Sequence, residues 1–451
     1  MRRTDIVEYG DDAIGANWFF HFGHDTLHFT ILMINKILRF IERFIPKKLY
    51  KLGQPIYHFS LATIGAIIYR FPARHLKVLA VTGTKGKTST AEMINAILEE
   101  AGKKTALAGT LRFKIGADSR PNKSKMTVPG RFFLQKFLRD AVNAGCEYAV
   151  LEMSSEAAKQ FRHKWIALDA LVFTNLAPEH IESHGSYEKY VDAKLSIARA
   201  LSVSWKKNRV LVVNTDDKEA EKFLAVSVPN KITYSFALAK DVSVSEESTT
   251  FTYKDTQFVS HLVGQFNIYN MLAAIRLAEF LGIDFGTMKI ALGKLKVIRG
   301  RAERIEAGQD FKVVVDYAHT PDSLRAVYEA FKNSKKILVL GATGGGRDIW
   351  KRKEMANIAD TYGEHIILTD EDPYEDDPRA IVDDLARHFT KHKPEIIMDR
   401  RQAIAKAISL AQKNDAVIIT GKGTDPYIMR AGGVKEPWSD AEVAKELLSV
   451  R

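Results

Sequence analysis

Seven consecutive residues, Thr82-Gly-Thr-Lys-Gly-Lys-Thr88, concentrate two glycines, two lysines and three hydroxyls, a mixture suited to holding phosphate. A loop of this kind at the entrance to a helix points backbone N–H groups at an anion, and the helix dipole favours the same sign. Lys87 can then reach the β- and γ-phosphates of a nucleotide, and the Thr88 hydroxyl can hold Mg²⁺. The spacing is tighter than the general phosphate loop, because Val81 stands where that pattern has its first glycine. Taken alone the hexapeptide also reads as a plain turn before a helix. Its flanks favour the nucleotide site: residues 78–81 form an apolar run suited to a buried strand, and Met93, Ile94, Ile97, Leu98 and Ala101 recur at helical spacing before Gly102.

Further chemistry clusters at the ends of other apolar runs. Glu152, Ser154 and Ser155 close the run at 148–153, and Asn175, Glu179, His180, His184 and Lys194 follow the run at 170–174. A carboxylate and a histidine beside a phosphate loop suit a divalent cation shared with phosphate oxygens. Singly, His180 reads as a hydrogen-bonded surface histidine and Lys194 as a solvated helix lysine. Polar clusters at 316–322, 344–347, 370–377 and 421–425 follow later runs in the same way.

These groups need strands to carry them. The runs at 148–153, 170–174 and 209–214, with helical patterns between some of them, predict a parallel, doubly wound sheet. Residues 232–263 alternate like antiparallel strands, and 264–281 read as a helix. A second α/β series has strands expected at 312–316, 336–340, 365–369, 395–398 and 416–420, and ligands of such sheets gather at the carboxyl ends of the strands. The fold class expected is therefore α/β: a helical region at 1–75, a central P-loop ATPase domain at 76–298 and a Rossmann-like α/β domain at 299–451.

The chain has 451 residues, enough for two or three domains, and a net charge of +11, which implies attraction to anions. No long basic run with interleaved aromatics lies outside the N-terminal region, so nucleotides and phosphorylated substrates explain the charge about as well as nucleic acid does, and no nucleic-acid partner is expected. With Cys146 the only cysteine, intramolecular disulfides and cysteine-based zinc sites are excluded, and a cytoplasmic setting is expected. Residues 27–46 and 56–71 are apolar, but the first carries internal charges and the second is too short to span a membrane. Two readings stay open: a helical hairpin packed on the next domain, or a basic amphipathic anchor lying on a membrane surface.

Gly83-Thr-Lys-Gly-Lys-Thr88, Leu151-Glu-Met-Ser-Ser155, Phe173-Thr-Asn-Leu176 with Glu179-His180 and His184-Gly185, Asp192-Ala-Lys194, Gly264-Gln-Phe-Asn267 with Asn270, Gly300-Arg-Ala-Glu303, Asp316-Tyr-Ala-His-Thr-Pro-Asp322 and Gly421-Lys-Gly423 occur in one order. In that order they resemble the ATP-dependent Mur ligases of cell-wall peptide synthesis, most of all the MurE type, over roughly residues 76–430. The resemblance implies an ATP-dependent, ADP-forming amide ligase that joins an amino acid to a muramoyl-peptide precursor through an acyl phosphate. It assigns ATP to the loop residues Gly83, Thr84, Lys85, Gly86, Lys87, Thr88 and Ser89, with Asn267 and Asn270 near the adenine, Arg301 on the γ-phosphate and Asp316 on the ribose. Thr88, Glu152, His180 and a carbamylated Lys194 would hold Mg²⁺, and Lys87, Lys194, Arg301 and His180 would carry the catalytic work. Thr127, Ser155, Gln160 and Arg162 match positions that grip the muramoyl peptide; His319, Asp372, Tyr374, Gly421 and Asp425 match the amino-acid side. A monomer is expected. The alternatives are another amide ligase of the superfamily, of the folylpolyglutamate- or cyanophycin-synthetase kind, and a nucleotide-regulated membrane scaffold.

The sequence departs from the family in three places. Glu179 replaces the usual Asp before the metal histidine, Glu156 replaces a histidine after the paired serines, and residues 1–75 stand where MurE-type enzymes have a larger uridine-binding domain. Enzymes that add meso-diaminopimelate carry Asp-Asn-Pro-Arg, whose arginine grips the distal carboxylate; here the residues are Glu371-Asp372-Pro373-Tyr374. Tyr374 lacks that fork. With Asp370, Asp372, Glu375, Asp376, Asp377 and Asp425 nearby in sequence, the expectation is a carboxylate cluster without an opposing arginine, suited to L-lysine or a similar diamino acid.

Overall fold

In the computed structural model, which describes residues 47–450 apart from Arg131, His180 and Asp348, the strand expected at 78–81 runs from Lys77–Thr82 (β1) and is buried after its first residue. Its side chains alternate: Val78 and Ala80 enter one apolar cluster, Leu79 and Val81 the other. A strand with both faces covered needs apolar residues throughout, and this run has them.

Around β1 forms an eight-stranded sheet from β2 (Thr105–Ala108), β3 (Arg112–Ile115), β4 (Asp118–Pro121), β5 (Tyr148–Met153), β6 (Ala170–Phe173), β7 (Val210–Asn214) and β8 (Asn230–Tyr234), in the order β4-β3-β2-β5-β1-β6-β7-β8. It is mixed where a parallel sheet was expected: β2–β3 and β3–β4 pair antiparallel. β8 pairs parallel with β7, so the start of the stretch read as antiparallel belongs to the main sheet. Only β9 (Lys240–Val244), β10 (Thr249–Tyr253) and β11 (Thr256–Ser260) form the antiparallel appendage.

The second sheet contains β12 (Glu303–Arg304), β13 (Lys312–Asp316), β14 (Lys336–Leu340), β15 (His365–Leu368), β16 (Glu395–Ile396) and β17 (Ala416–Thr420), ordered β12-β13-β17-β14-β15-β16. All neighbours except β12 and β13 pair in parallel, so the loops after β13, β14, β15 and β17 share one rim.

Helix α1 (Lys47–Ile68) precedes β1 and starts well before the stretch expected at 56–71. Its inner face, Leu61, Ala62 and Ala66, is buried. Gly65 meets Phe132 so closely that an added Cβ would stand 3.0 Å from that ring. The outer face leaves Ile56, Phe59, Ile64 and Ile67 exposed, and Trp165 donates from Nε1 to Thr63 Oγ1 at 2.8 Å beside it. The described part of the N-terminal region thus packs on the central domain; residues 27–46 lie outside the described residues. Among the described residues no helix is long and apolar enough to cross a membrane.

Candidate active site

The phosphate loop turns out of β1 into helix α2 (Lys87–Glu100). Two positions admit only glycine. Gly83 has φ +150° and a Cβ there would meet Thr174 Oγ1 at 1.9 Å; Gly86 has φ +79° and its Cβ would meet Asn270 Oδ1 at 2.3 Å. The strand-end residues hold the loop's backbone: Lys85 N donates to Asn175 Oδ1 at 2.9 Å, Thr174 Oγ1 donates to Lys85 O at 2.7 Å, and Thr84 shares a 2.8 Å bond with the Tyr190 hydroxyl. Thr84, Ser89 and Thr88 are buried within it.

Two lysines converge on this loop. Lys87 Nζ donates to Gly83 O at 3.0 Å and Thr84 O at 2.8 Å; Lys194 Nζ, from the helix Tyr187–Ser202, donates to Gly83 O at 2.7 Å and lies 4.9 Å from the Tyr190 ring centre. Lys194 is 1% exposed, and burial, with the Lys87 charge adding to it, pushes its amine well below the usual lysine range. Burial also lowers the Lys87 amine, opposed by Glu179 and Glu152.

Glu152, next to last in β5, stands beside Thr88, whose hydroxyl donates to Glu152 Oε2 at 3.1 Å. Thr110 supports the carboxylate through its N–H at 2.9 Å and its hydroxyl at 3.0 Å. Burial raises this carboxyl, against the pull of the Thr110 bonds and of Lys87 and Arg301. Arg301 enters from the C-terminal domain, with Nη2 3.4 Å from Thr88 Oγ1 and its guanidinium 4.8 Å over the Tyr317 ring. A hydroxyl and a carboxylate side by side are hard oxygen donors and fit Mg²⁺. His180, expected as the histidine ligand, lies outside the described residues, and no group of three or more His, Cys, Asp or Glu suited to a metal occurs among the described ones.

The other expected residues fall into three places. Asn267 and Asn270, on helix α3 (Gln265–Phe280), are buried behind the loop; Asn270 Nδ2 donates to Asn267 Oδ1 at 3.0 Å, and Asn270 Oδ1 accepts from Thr90 at 3.3 Å. Thr127 reaches Thr110, and so Glu152, through a 3.1 Å hydroxyl contact. Ser155 shares a 3.1 Å bond with His184, while Arg162 donates to Gln160 Oε1 at 2.6 Å and to Val128 O. On the C-terminal rim, Asp316 accepts from Ala302 N and Ala318 N, both at 2.6 Å; burial raises its carboxyl, with Arg301 first among the groups that oppose this. His319 approaches Glu179 at 3.3 Å, and Lys85 donates to the same Glu179 oxygen at 3.1 Å. Gly421 has φ +105°, and a Cβ there would meet Glu371 Oε2 at 2.4 Å.

The expected unopposed acidic cluster is not what the rim contains. Asp370 pairs with Arg430; Asp372 pairs with Lys422 and Lys125, each at 2.8 Å; Asp425 pairs with Lys125 at 3.0 Å. Glu375 and Asp376 accept backbone N–H groups of Gly432 and Gly345, and Asp377 caps the helix Pro378–Ala386. Buried carboxylates demand partners, and the fold supplies them from the other domain and from distant loops. Tyr374 takes φ +53°, and the Arg347 guanidinium lies 4.6 Å over its ring. Sequence reasoning missed Thr110, Tyr190 and Lys125. None sits in a spacing pattern; Lys125 shows only as a lysine two positions before Thr127.

Residues 81–278 match the family described as Mur ligase middle domain, and 300–423 that described as Mur ligase, glutamate ligase domain. The chain is similar to the UDP-N-acetylmuramoyl-L-alanyl-D-glutamate–2,6-diaminopimelate ligase of Bacillus cereus, 35% identical over 405 residues, 87% of this chain and 82% of the relative. A solved ligase of the same description aligns at 30% identity with a TM-score of 0.57, over 83% of this chain and 78% of that one. The folylpolyglutamate synthase of Mycobacterium tuberculosis shares the fold, with a TM-score of 0.67 at 15% identity over 86% of this chain and 95% of that one.

Proposed function

The chain belongs to the Mur ligase family, is of the MurE type and is therefore an ATP-dependent, ADP-forming amide ligase; from that premise we propose that it adds a diamino acid to a muramoyl-dipeptide precursor in peptidoglycan synthesis. The observation that carries the proposal is the meeting of Lys87, Thr88 and Glu152 of one domain with Arg301 of the other around a single glycine-built loop.

Catalysis at such a site is mainly positioning and charge neutralisation. The loop and Lys87 bind the nucleotide phosphates, and Arg301 faces the γ-phosphate. The acceptor carboxylate attacks the γ-phosphorus and ADP leaves; the amine of the incoming amino acid then displaces phosphate from the acyl phosphate and an amide forms. Mg²⁺, held by Thr88, Glu152, His180 and a carbamylated Lys194, would neutralise phosphate charge. Lys194 suits that modification because its amine is buried and drawn toward the neutral form, the form that attacks CO₂. Asn267 and Asn270 are read as backing the adenine side, Asp316 as the ribose contact, and Thr127, Ser155, Gln160 and Arg162 as the acceptor contacts.

For the amino acid, the first reading is L-lysine or a similar diamino acid such as ornithine, supported by the Tyr374 phenol where a fork-shaped cation would be needed for a distal carboxylate. The paired carboxylates no longer add to it. The second reading is meso-diaminopimelate, favoured by the charge balance that Lys125 and Lys422 give the rim and by the name of the Bacillus cereus relative. Phosphate release from ATP, measured over a panel of UDP-linked and unlinked muramoyl dipeptides and of amino acids, tests both levels. Turnover only with muramoyl dipeptide and a diamino acid is expected; turnover with folates or with none of the panel would overturn the ligase reading. A kcat/KM for L-lysine at least about tenfold above diaminopimelate supports the first amino-acid reading, and the reverse ratio the second.

A further inference from the structure

Lys125 belongs to the central domain, yet its ammonium sits inside the C-terminal rim. Its Nζ lies 2.8 Å from Asp372 Oδ2 and 3.0 Å from Asp425 Oδ2, while Lys422 Nζ meets the same two carboxylates at 2.8 and 3.5 Å. These side chains have little contact with solvent, from 0% exposed for Lys422 to 11% for Lys125 and 14% for Asp425. Two carboxylates and two ammoniums leave no net charge. The loop that delivers Lys125 is tied down on both sides: Asn122 Nδ2 donates to Gly109 O at 2.9 Å and Met126 O at 2.8 Å, and Ser124 Oγ donates to Met126 O at 3.0 Å. Lys422 is locked into the rim's own turn. Lys125 is the member that the other domain lends.

The rim is also in the right place. Asp372 and Lys422 follow β15 and β17, and Tyr317, after the neighbouring β13, carries the Arg301 guanidinium over its ring, 4.8 Å away. The cluster therefore lies at the carboxyl ends of the strands, where ligands of such sheets bind, on the rim that also carries Tyr317.

We infer that Lys125 is a specificity-determining residue for the incoming amino acid: its charge makes the Asp372, Asp425 and Lys422 group neutral, which shifts the preference toward a zwitterionic side-chain terminus, an ammonium beside a carboxylate, relative to the same group without that charge. This rests on the reading that the rim receives the amino acid. Removing the charge leaves the group with one net negative charge, attractive to a lone ammonium and poorer for a terminus that brings its own carboxylate. A residue that merely tied the domains together would alter turnover of every amino acid equally.

The test uses the full chain, wild type and Lys125→Met, with one muramoyl-dipeptide acceptor at saturating ATP, and compares kcat/KM for L-lysine with that for meso-diaminopimelate. In the variant the lysine-to-diaminopimelate ratio should move toward lysine by at least about tenfold, or about 1.4 kcal/mol, with most of the change in the KM of the amino acid. Lys125→Arg, which keeps the charge, should keep the wild-type ratio. Because both substrates are read on one preparation, a partly unfolded fraction cancels; if Lys125→Met does not fold, Lys125→Gln carries the same test. An unchanged ratio, even with a lower kcat, or a shift toward diaminopimelate would overturn the inference. If the wild type consumes neither amino acid, the ligase reading fails by itself. The inference is then decided by calorimetric binding of the two amino acids to the chain loaded with a non-hydrolysable ATP analogue: the ratio of Kd values must shift the same way, and binding of neither overturns it.

Discussion

Lys194 and His163 are both 1% exposed, and both are drawn toward their neutral forms by burial, with opposite uses. On the proposed reading the neutral amine of Lys194 is a nucleophile that would add to CO₂, lose a proton and become a carbamate anion. Lys194→Ala should therefore lose most ligase activity, and short carboxylic acids added to the assay should restore part of it by supplying the missing carboxylate; full activity in the variant would sink the assignment. His163 has no hydrogen-bond partner on either ring nitrogen, and burial, with the Lys164 charge second, pushes it down to about 3. An unfolded histidine titrates near ~6.5. Between those values the unfolded chain holds a proton that the folded chain refuses, so stability is complete above about 6.5 and falls as the pH drops toward 3. At pH 5 the loss should be about 2 kcal/mol. Urea midpoints at pH 7.5 and 5 measure it, and His163→Phe should show a smaller drop; equal drops in both proteins would refute the account.

Whole elements were legible where one requirement dominates. The five-residue runs that became β13, β14 and β17 are apolar in their interiors because both sheet faces are covered, and their limits were read to the residue. β3 and β4 were not legible: Arg112–Ile115 and Asp118–Pro121 are short and half polar, and only pairing beside β2 makes them strands. The extent of α1 was hidden for a related reason. Pro55 and the surrounding lysines mask a helix that is apolar on both faces, and only one face is covered in the described structure. On the membrane-surface reading its outer face meets lipid: the chain should co-sediment with anionic vesicles, less so as salt rises, and Ile56→Glu with Ile67→Glu should abolish binding without unfolding the protein. Failure to bind vesicles at any salt concentration would favour the packed-hairpin reading.

At the scale of the molecule, the phosphate loop and the family order of motifs could be read from the chain, but the partners of the charges could not. Glu246, 88 residues before Ser334, accepts from its N–H at 3.0 Å and its hydroxyl at 2.7 Å, and meets Lys312 at 2.9 Å. Burial works against this carboxylate, yet the Ser334 and Lys312 bonds outweigh it and hold its pKa below the usual range. No periodicity announces such a pair, because its members lie far apart in sequence and on different sheets. Glu246→Ala should cost about 2–4 kcal/mol, since it leaves the largely buried Lys312 without its counter-charge and the Ser334 N–H and hydroxyl without their acceptor; a calorimetric or urea measurement showing less than ~0.5 kcal/mol would remove Glu246 from the joint. The same joint bears on how the protein could be dissected. Glu246 with Lys312, Lys125 with Asp372 and Asp425, and Glu179 with His319 each set acid against base across the boundary. Two fragments cloned apart at the exposed Lys296 and Val297 would each be left with stranded charges at the severed surface. They should come out insoluble when made singly and assemble into one active particle when co-expressed.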